Sequence, residues 1–120
     1  NYLRATTNSK GQELCEQMKS QGKTEAYVVD SHDVLLGKIS LYAALDAGDS
    51  SIESFMDTRP TILYSHNSLD DAMHKVRQFV GESLPVVDAE SGQLQGSITE
   101  GALFQAVTEV QNQARTLERA

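Results

Sequence analysis

A chain of 120 residues with 39% hydrophobic and 22% charged residues has the make-up of one compact globular unit: short for two independent domains and too apolar for a disordered tail. A net charge of −7, without any cluster of Lys or Arg, argues against nucleic acid as a partner. No apolar run approaches the roughly 20 residues of a membrane span, so no direct membrane insertion is expected.

The first element is a helix from about Ser9 to Gln21, with Leu14 and Met18 facing inward and Gly22 as its stop. Cys15 lies in the same amphipathic pattern and reads as a helix residue rather than a nucleophile; a lone cysteine closes no internal disulfide and fits a reducing compartment. An apolar strand, Ala26-Tyr27-Val28-Val29, ends in Asp30; after the polar Ser31-His32-Asp33 a second strand follows, Leu36-Gly37-Lys38-Ile39-Ser40, so the pair reads as a β-hairpin. Ser40 stands where a hydroxyl can cap the next helix, which carries Leu45.

Asp49 to Met56 reads as a short capped connecting helix, leading into the extended Thr61-Ile62-Leu63-Tyr64. Ser68 and Asp71 resemble a capping box ahead of Leu69, Ala72, Met73, Val76, Phe79 and Val80, a core-facing helical stripe that Gly81 ends. A second hairpin follows, Leu84-Pro85-Val86-Val87-Asp88, the turn Ala89-Glu90-Ser91-Gly92, then Gln95-Gly96-Ser97-Ile98-Thr99. Gly101 to Ala120 carries Leu103, Val107, Val110, Ala114 and Leu117 at helical spacing, an overhang suited to packing against a partner or the rest of a longer chain.

The second hairpin repeats the first at an offset of about 58 residues, with matching helices around it, so the half-unit is strand, helix, strand, strand, helix. The chain divides into a first repeat over 1–48, a connecting helix over 49–59, a second repeat over 60–108 and a C-terminal helix extension over 109–120. The start at Asn1, without methionine or a signal-peptide layout, is expected of a piece of a longer protein.

Two copies of V-V-D, a turn and G-x-I-[ST], each followed by a helix, resemble the signature of CBS domains, which occur as tandem pseudo-twofold pairs; the first copy departs from it in having Tyr27 where the proline usually stands. The resemblance implies an α/β fold of two β-α-β-β-α repeats packed as a pseudo-twofold pair, extended by the C-terminal helix. It also implies a homodimer through CBS–CBS packing and, in many relatives, clefts that bind adenine nucleotides. Gly37-Lys38-Ile39-Ser40-Leu41 and Ile52-Glu53-Ser54-Phe55-Met56 are most similar to modules that follow the membrane domain of ClC-type chloride channels and transporters. That implies the transmembrane domain of the parent chain as a partner and a position on the cytoplasmic face of the inner or plasma membrane. Modules of magnesium transporters, osmolyte importers and nucleotide-biosynthesis enzymes share the general pattern, so the alternative host is a soluble metabolic enzyme or another transporter, of magnesium or an osmolyte.

In nucleotide-binding relatives the motif continues to an aspartate that holds the ribose; Ala43 and Ala102 occupy those positions here. Losing a bond to a carboxylate, roughly 1.5–3 kcal/mol, weakens such a site by about tenfold or more. Two roles therefore stay open, a sensor of AMP, ADP or ATP and a mainly structural, dimerising unit with no required cofactor. For a ligand, the candidate residues are Ser40 and Thr99 near phosphate, with Thr61, Ser83, Leu84 and Pro85 lining the second cleft; Glu100 in the first turn after Thr99 opposes phosphate. His32, His66 and His74 have no ligand spacing, and neither Asp70-Asp71 nor Asp88 with Glu90 is flanked by a base or nucleophile, so neither metal nor catalysis is expected.

Overall fold

A computed structural model of the chain describes residues 2–77, 83–106, 108 and 109. The elements run β1 (Arg4–Ala5), α1 (Gly11–Gln21), β2 (Glu25–Val29), β3 (Leu35–Ser40), α2 (Leu41–Ala47), a 3-10 turn (Ile52–Ser54), β4 (Leu63–Tyr64), α3 (Leu69–Val76), β5 (Ser83–Val87) and β6 (Leu94–Thr99), and 100–106 is again helical. They form two three-stranded sheets, ordered β1-β2-β3 and β4-β5-β6, each with a parallel outer pair and an antiparallel hairpin. The two hairpins carry their register irregularity at matching places, Val28/Val29 and Val86/Val87.

The apolar runs of β2 and β5 have no polar alternation because both faces of each sheet are covered. Ala26, Val28 and Ile39 pack with Leu14, Cys15 and Met18 of α1 and Ala44 and Ala47 of α2, a core closed from the connector by Ile52. Leu84, with Val86 and Ile98, does the same against Ala72 and Val76 of α3 and Leu103. The alternate side chains, Tyr27 and Val29 on one sheet and Val87 and Leu94 on the other, meet in a third cluster that joins the repeats.

Helix ends follow the sequence. Gly22 takes the left-handed conformation (φ 65°) and passes the Lys23 N–H back to the Met18 carbonyl at 2.8 Å. Ser68 and Asp71 form both bonds of the capping box, at 3.1 and 3.2 Å. Ser9 does not cap α1; its hydroxyl accepts from the Thr6 N–H, and α1 begins at Gly11 after Lys10. The connector forms only a 3-10 turn, capped by the Ser51 hydroxyl. Of the expected extended run 61–64, only Leu63–Tyr64 pairs with β5. Tyr27 donates its N–H to the carbonyl of Leu3, just before β1, at 2.9 Å, whereas Pro85 at the equivalent place has no N–H, so pairing of β4 begins after it. Phe79, Val80, Gly81, Val107, Val110, Ala114 and Leu117 lie outside the described residues.

The match of Leu45 with Leu103 is off by one. The second hairpin turn has one residue more than the first, so Ala44 corresponds to Leu103, both buried, and Leu45 to Phe104, both exposed.

Candidate functional site

Residues of β2, β5 and β6, with the segments just before β1 and just after α1, bring one cleft together between the repeats. Tyr2, Leu3, Lys23, Glu25, Ala26 and Tyr27 line it from the first repeat, and Ser83, Ser97 and Thr99 from the second; its volume is about 100 Å³. One wall is apolar, from Leu3 and Ala26, with the Tyr2 ring 5.4 Å from that of Tyr27. Ser83, Ser97 and Thr99 add hydroxyls to the lining, and Lys23 and Glu25 add one charge of each sign.

At the base of the cleft the repeats are tied by a polar cluster. The Tyr27 hydroxyl is hydrogen-bonded to the Ser83 hydroxyl, although the rest of its ring is buried in the shared core. Burial pushes its pKa above the ordinary tyrosine range, opposed by hydrogen bonds with Ser83 and Ser97. Glu25 and Lys38 form an ion pair with only 12% and 11% of their side chains exposed. Both also hold the backbone of Ser83: its N–H donates to Glu25 Oε1 at 3.3 Å, and Lys38 Nζ donates to its carbonyl at 3.1 Å. A nearly dry pair needs such extra bonds to offset its desolvation.

Thr99 and Ser83 of the sequence candidates line this cleft. Thr99 Oγ1 accepts from the Ala102 N–H at 3.1 Å and Ser40 Oγ from the Ala43 N–H at 3.1 Å, so both hydroxyls cap helices. Ser40 and Thr61 do not line the cleft, and Leu84 and Pro85 are fully buried. The residues that sequence reasoning passed over are Tyr2, Leu3, Lys23, Glu25, Ala26, Tyr27 and Ser97. Position in the repeat is the signal that finds most of them: Glu25 aligns with Ser83, and the departure of Tyr27 from the proline at Pro85 marks the polar cluster.

Residues 52–109, just under half of the chain, match the CBS domain family. No curated protein matches the sequence. Among solved structures, Staphylococcus aureus OpuCA is 20% identical, with a TM-score of 0.78 over 92% of this chain and 95% of that one. The chain has the CBS-pair fold. CBSX2 from Arabidopsis thaliana, a CBS-pair protein, is 21% identical with a TM-score of 0.79, over 92% of this chain and 89% of its own. CBSX2 has also been solved in complex with AMP. The cytosolic domain of the Mg2+ channel MgtE in complex with ATP is 20% identical with a TM-score of 0.77, over 88% of this chain and 44% of its own. At these identities the likeness establishes the CBS-pair architecture of two repeats.

Proposed function

We propose that this chain is a non-catalytic regulatory and dimerising module of a larger protein, in which the cleft between the repeats takes an adenine nucleotide. The observation that carries this reading is the cleft itself: it is lined by the apolar Leu3 and Ala26 together with the hydroxyls of Ser83, Ser97 and Thr99, in a fold shared with structures holding AMP and ATP. The ligand is held weakly. Ala43 and Ala102 supply no carboxylate for ribose, and about 100 Å³ is well below the roughly 300 Å³ of a typical small-molecule site, so the cleft opens to admit a whole nucleotide.

Self-association has its own support. Leu45 and Phe104, at matching positions on the two repeats, are 50% and 45% exposed, and Tyr42 beside Leu45 is 80% exposed. The parent is a membrane transporter of the ClC type, with this module on its cytoplasmic face; what supports that assignment is the wording of residues 37–41 and 52–56. No helix among the described residues is long and apolar enough to cross a membrane, so any span belongs to the parent. A parent gene product without transmembrane segments would refute the transporter assignment and favour a metabolic enzyme.

Isothermal titration with AMP, ADP, ATP and adenosine tests the sensor. Saturable binding in the high-micromolar to millimolar range is expected, weakened about tenfold by Thr99→Ala. No heat at millimolar ligand from a folded dimer would sink the nucleotide role and leave assembly as the function.

A further inference from the structure

Polar contacts between the repeats gather at the two ends of β2 and β5. At the hairpin tips, Leu35 donates its N–H to the Gly92 carbonyl at 3.0 Å, Leu94 to the Asp33 carbonyl at 2.9 Å, and Gln93 Nε2 to the His32 carbonyl at 2.9 Å. At the cleft, the length of β2 away or about 13 Å, stands the cluster of Glu25, Tyr27, Lys38 and Ser83.

The two ends are built differently. At the tips, backbone bonds surround the Val34–Gln93 bridge, with Val29, Val87 and Leu94 buried together beside them. Parting there would break backbone pairing and uncover apolar surface. At the cleft, the contact centres on one residue: Ser83 gives its N–H to Glu25, takes Lys38 at its carbonyl and shares its hydroxyl with Tyr27. Glu25 and Lys38 both belong to the first sheet, so their ion pair stays closed when Ser83 moves away, and no charge is stranded. Glu25, Tyr27 and Ser83 are also part of the cleft lining, so widening the cleft beyond about 100 Å³ strains these bonds first.

We propose that Glu25, Lys38 and Tyr27 latch the cleft shut through Ser83, and that the hairpin tips are the hinge about which it opens. The proposal rests on the nucleotide reading above: a ligand enters by freeing Ser83 while the tips hold. Lys38 does not line the cleft, so it controls affinity as a positioning residue, without touching the ligand. Apparent affinity is reduced by the fraction of molecules whose latch is closed, so a weaker latch gives a more tightly held ligand.

The test uses the full chain and the double variant Glu25→Gln with Lys38→Met, which removes both charges and the bond to the Ser83 carbonyl while keeping the size of the lining. In isothermal titration the variant is expected to bind AMP about tenfold more tightly than the unaltered chain, and Tyr27→Phe to shift affinity in the same direction. Amide hydrogen exchange followed by NMR reads the latch without any nucleotide. The Ser83 N–H is expected to exchange at least about tenfold faster than those of Leu35 and Leu94, and faster still in the double variant. Unchanged or weaker AMP binding by the folded double variant overturns the latch, and so does Ser83 protection equal to that of Leu35 and Leu94. If the unaltered chain binds no nucleotide, the nucleotide reading fails by itself, and the order of exchange alone upholds or overturns the latch.

Discussion

Tyr27 stands where the second repeat has Pro85, and the exchange alters three things at once: an N–H for β1, a large ring in the shared core and a hydroxyl among Ser83 and Ser97. Because burial raises its pKa, the contribution of the neutral hydroxyl is complete below pH about 10 and is lost as the pH rises through the folded value. Tyr27→Phe is expected to cost about 1 kcal/mol at neutral pH and to flatten the alkaline fall in stability; urea unfolding at a series of pH values measures both. An equal alkaline fall in the variant would assign that loss elsewhere. Cys15, 3% exposed and with its thiol pKa raised by burial, is expected to react with a thiol reagent only at the rate of unfolding. Its packing was legible from amphipathic spacing with Leu14 and Met18. The tyrosine's role was not, since spacing shows which face a side chain takes but not that a hydroxyl reaches a serine of the other repeat.

Between elements, the Glu25–Lys38 pair spans β2 and β3 and clasps the first residue of β5. Lys38→Ala leaves a nearly buried carboxylate without its cation and is expected to destabilise the fold by about 3 kcal/mol in chemical denaturation. The double variant Glu25→Leu with Lys38→Met is expected to recover most of that loss; no recovery would mean that the bonds to Ser83 dominate. Hairpins, helix caps and the repeat were readable because each rests on local chemistry: V-V-D, a turn, a glycine, a hydroxyl at the helix start. Pairing of the half-sheets rests on Tyr27, Val29, Val87 and Leu94 meeting across the molecule, and no local pattern encodes that meeting. Leu84 and Pro85 were placed in the cleft by resemblance, while alternation along β5 turns Leu84 into the second core.

At the scale of the molecule, the third cluster gives each sheet a face that the other repeat helps to cover. Residues 1–59 alone would leave Tyr27 and Val29 exposed, so the isolated first repeat is expected not to fold as a monomer, and the intact chain to unfold in one transition. Circular dichroism with sedimentation decides this; a cooperatively folded monomeric fragment would count against it. Under the dimerisation proposed above, replacing both Leu45 and Phe104 with Glu is expected to shift the protein toward monomer in sedimentation while leaving that transition within about 1 kcal/mol, because both side chains are about half exposed in the single chain.

The hairpin tips meet in two reciprocal bonds, Leu35 N–H to the Gly92 carbonyl at 3.0 Å and Leu94 N–H to the Asp33 carbonyl at 2.9 Å, around the Val34–Gln93 bridge. Exchanging the halves turns each bond into the other. Such a contact does not depend on which half comes first along the chain, so the order of the repeats carries no structural information at this junction. The peptide joining them acts there as a tether that raises the local concentration of one half around the other. A permuted chain opened between the halves and rejoined at its ends retains the same junction, and separate halves mixed at sufficient concentration can rebuild it.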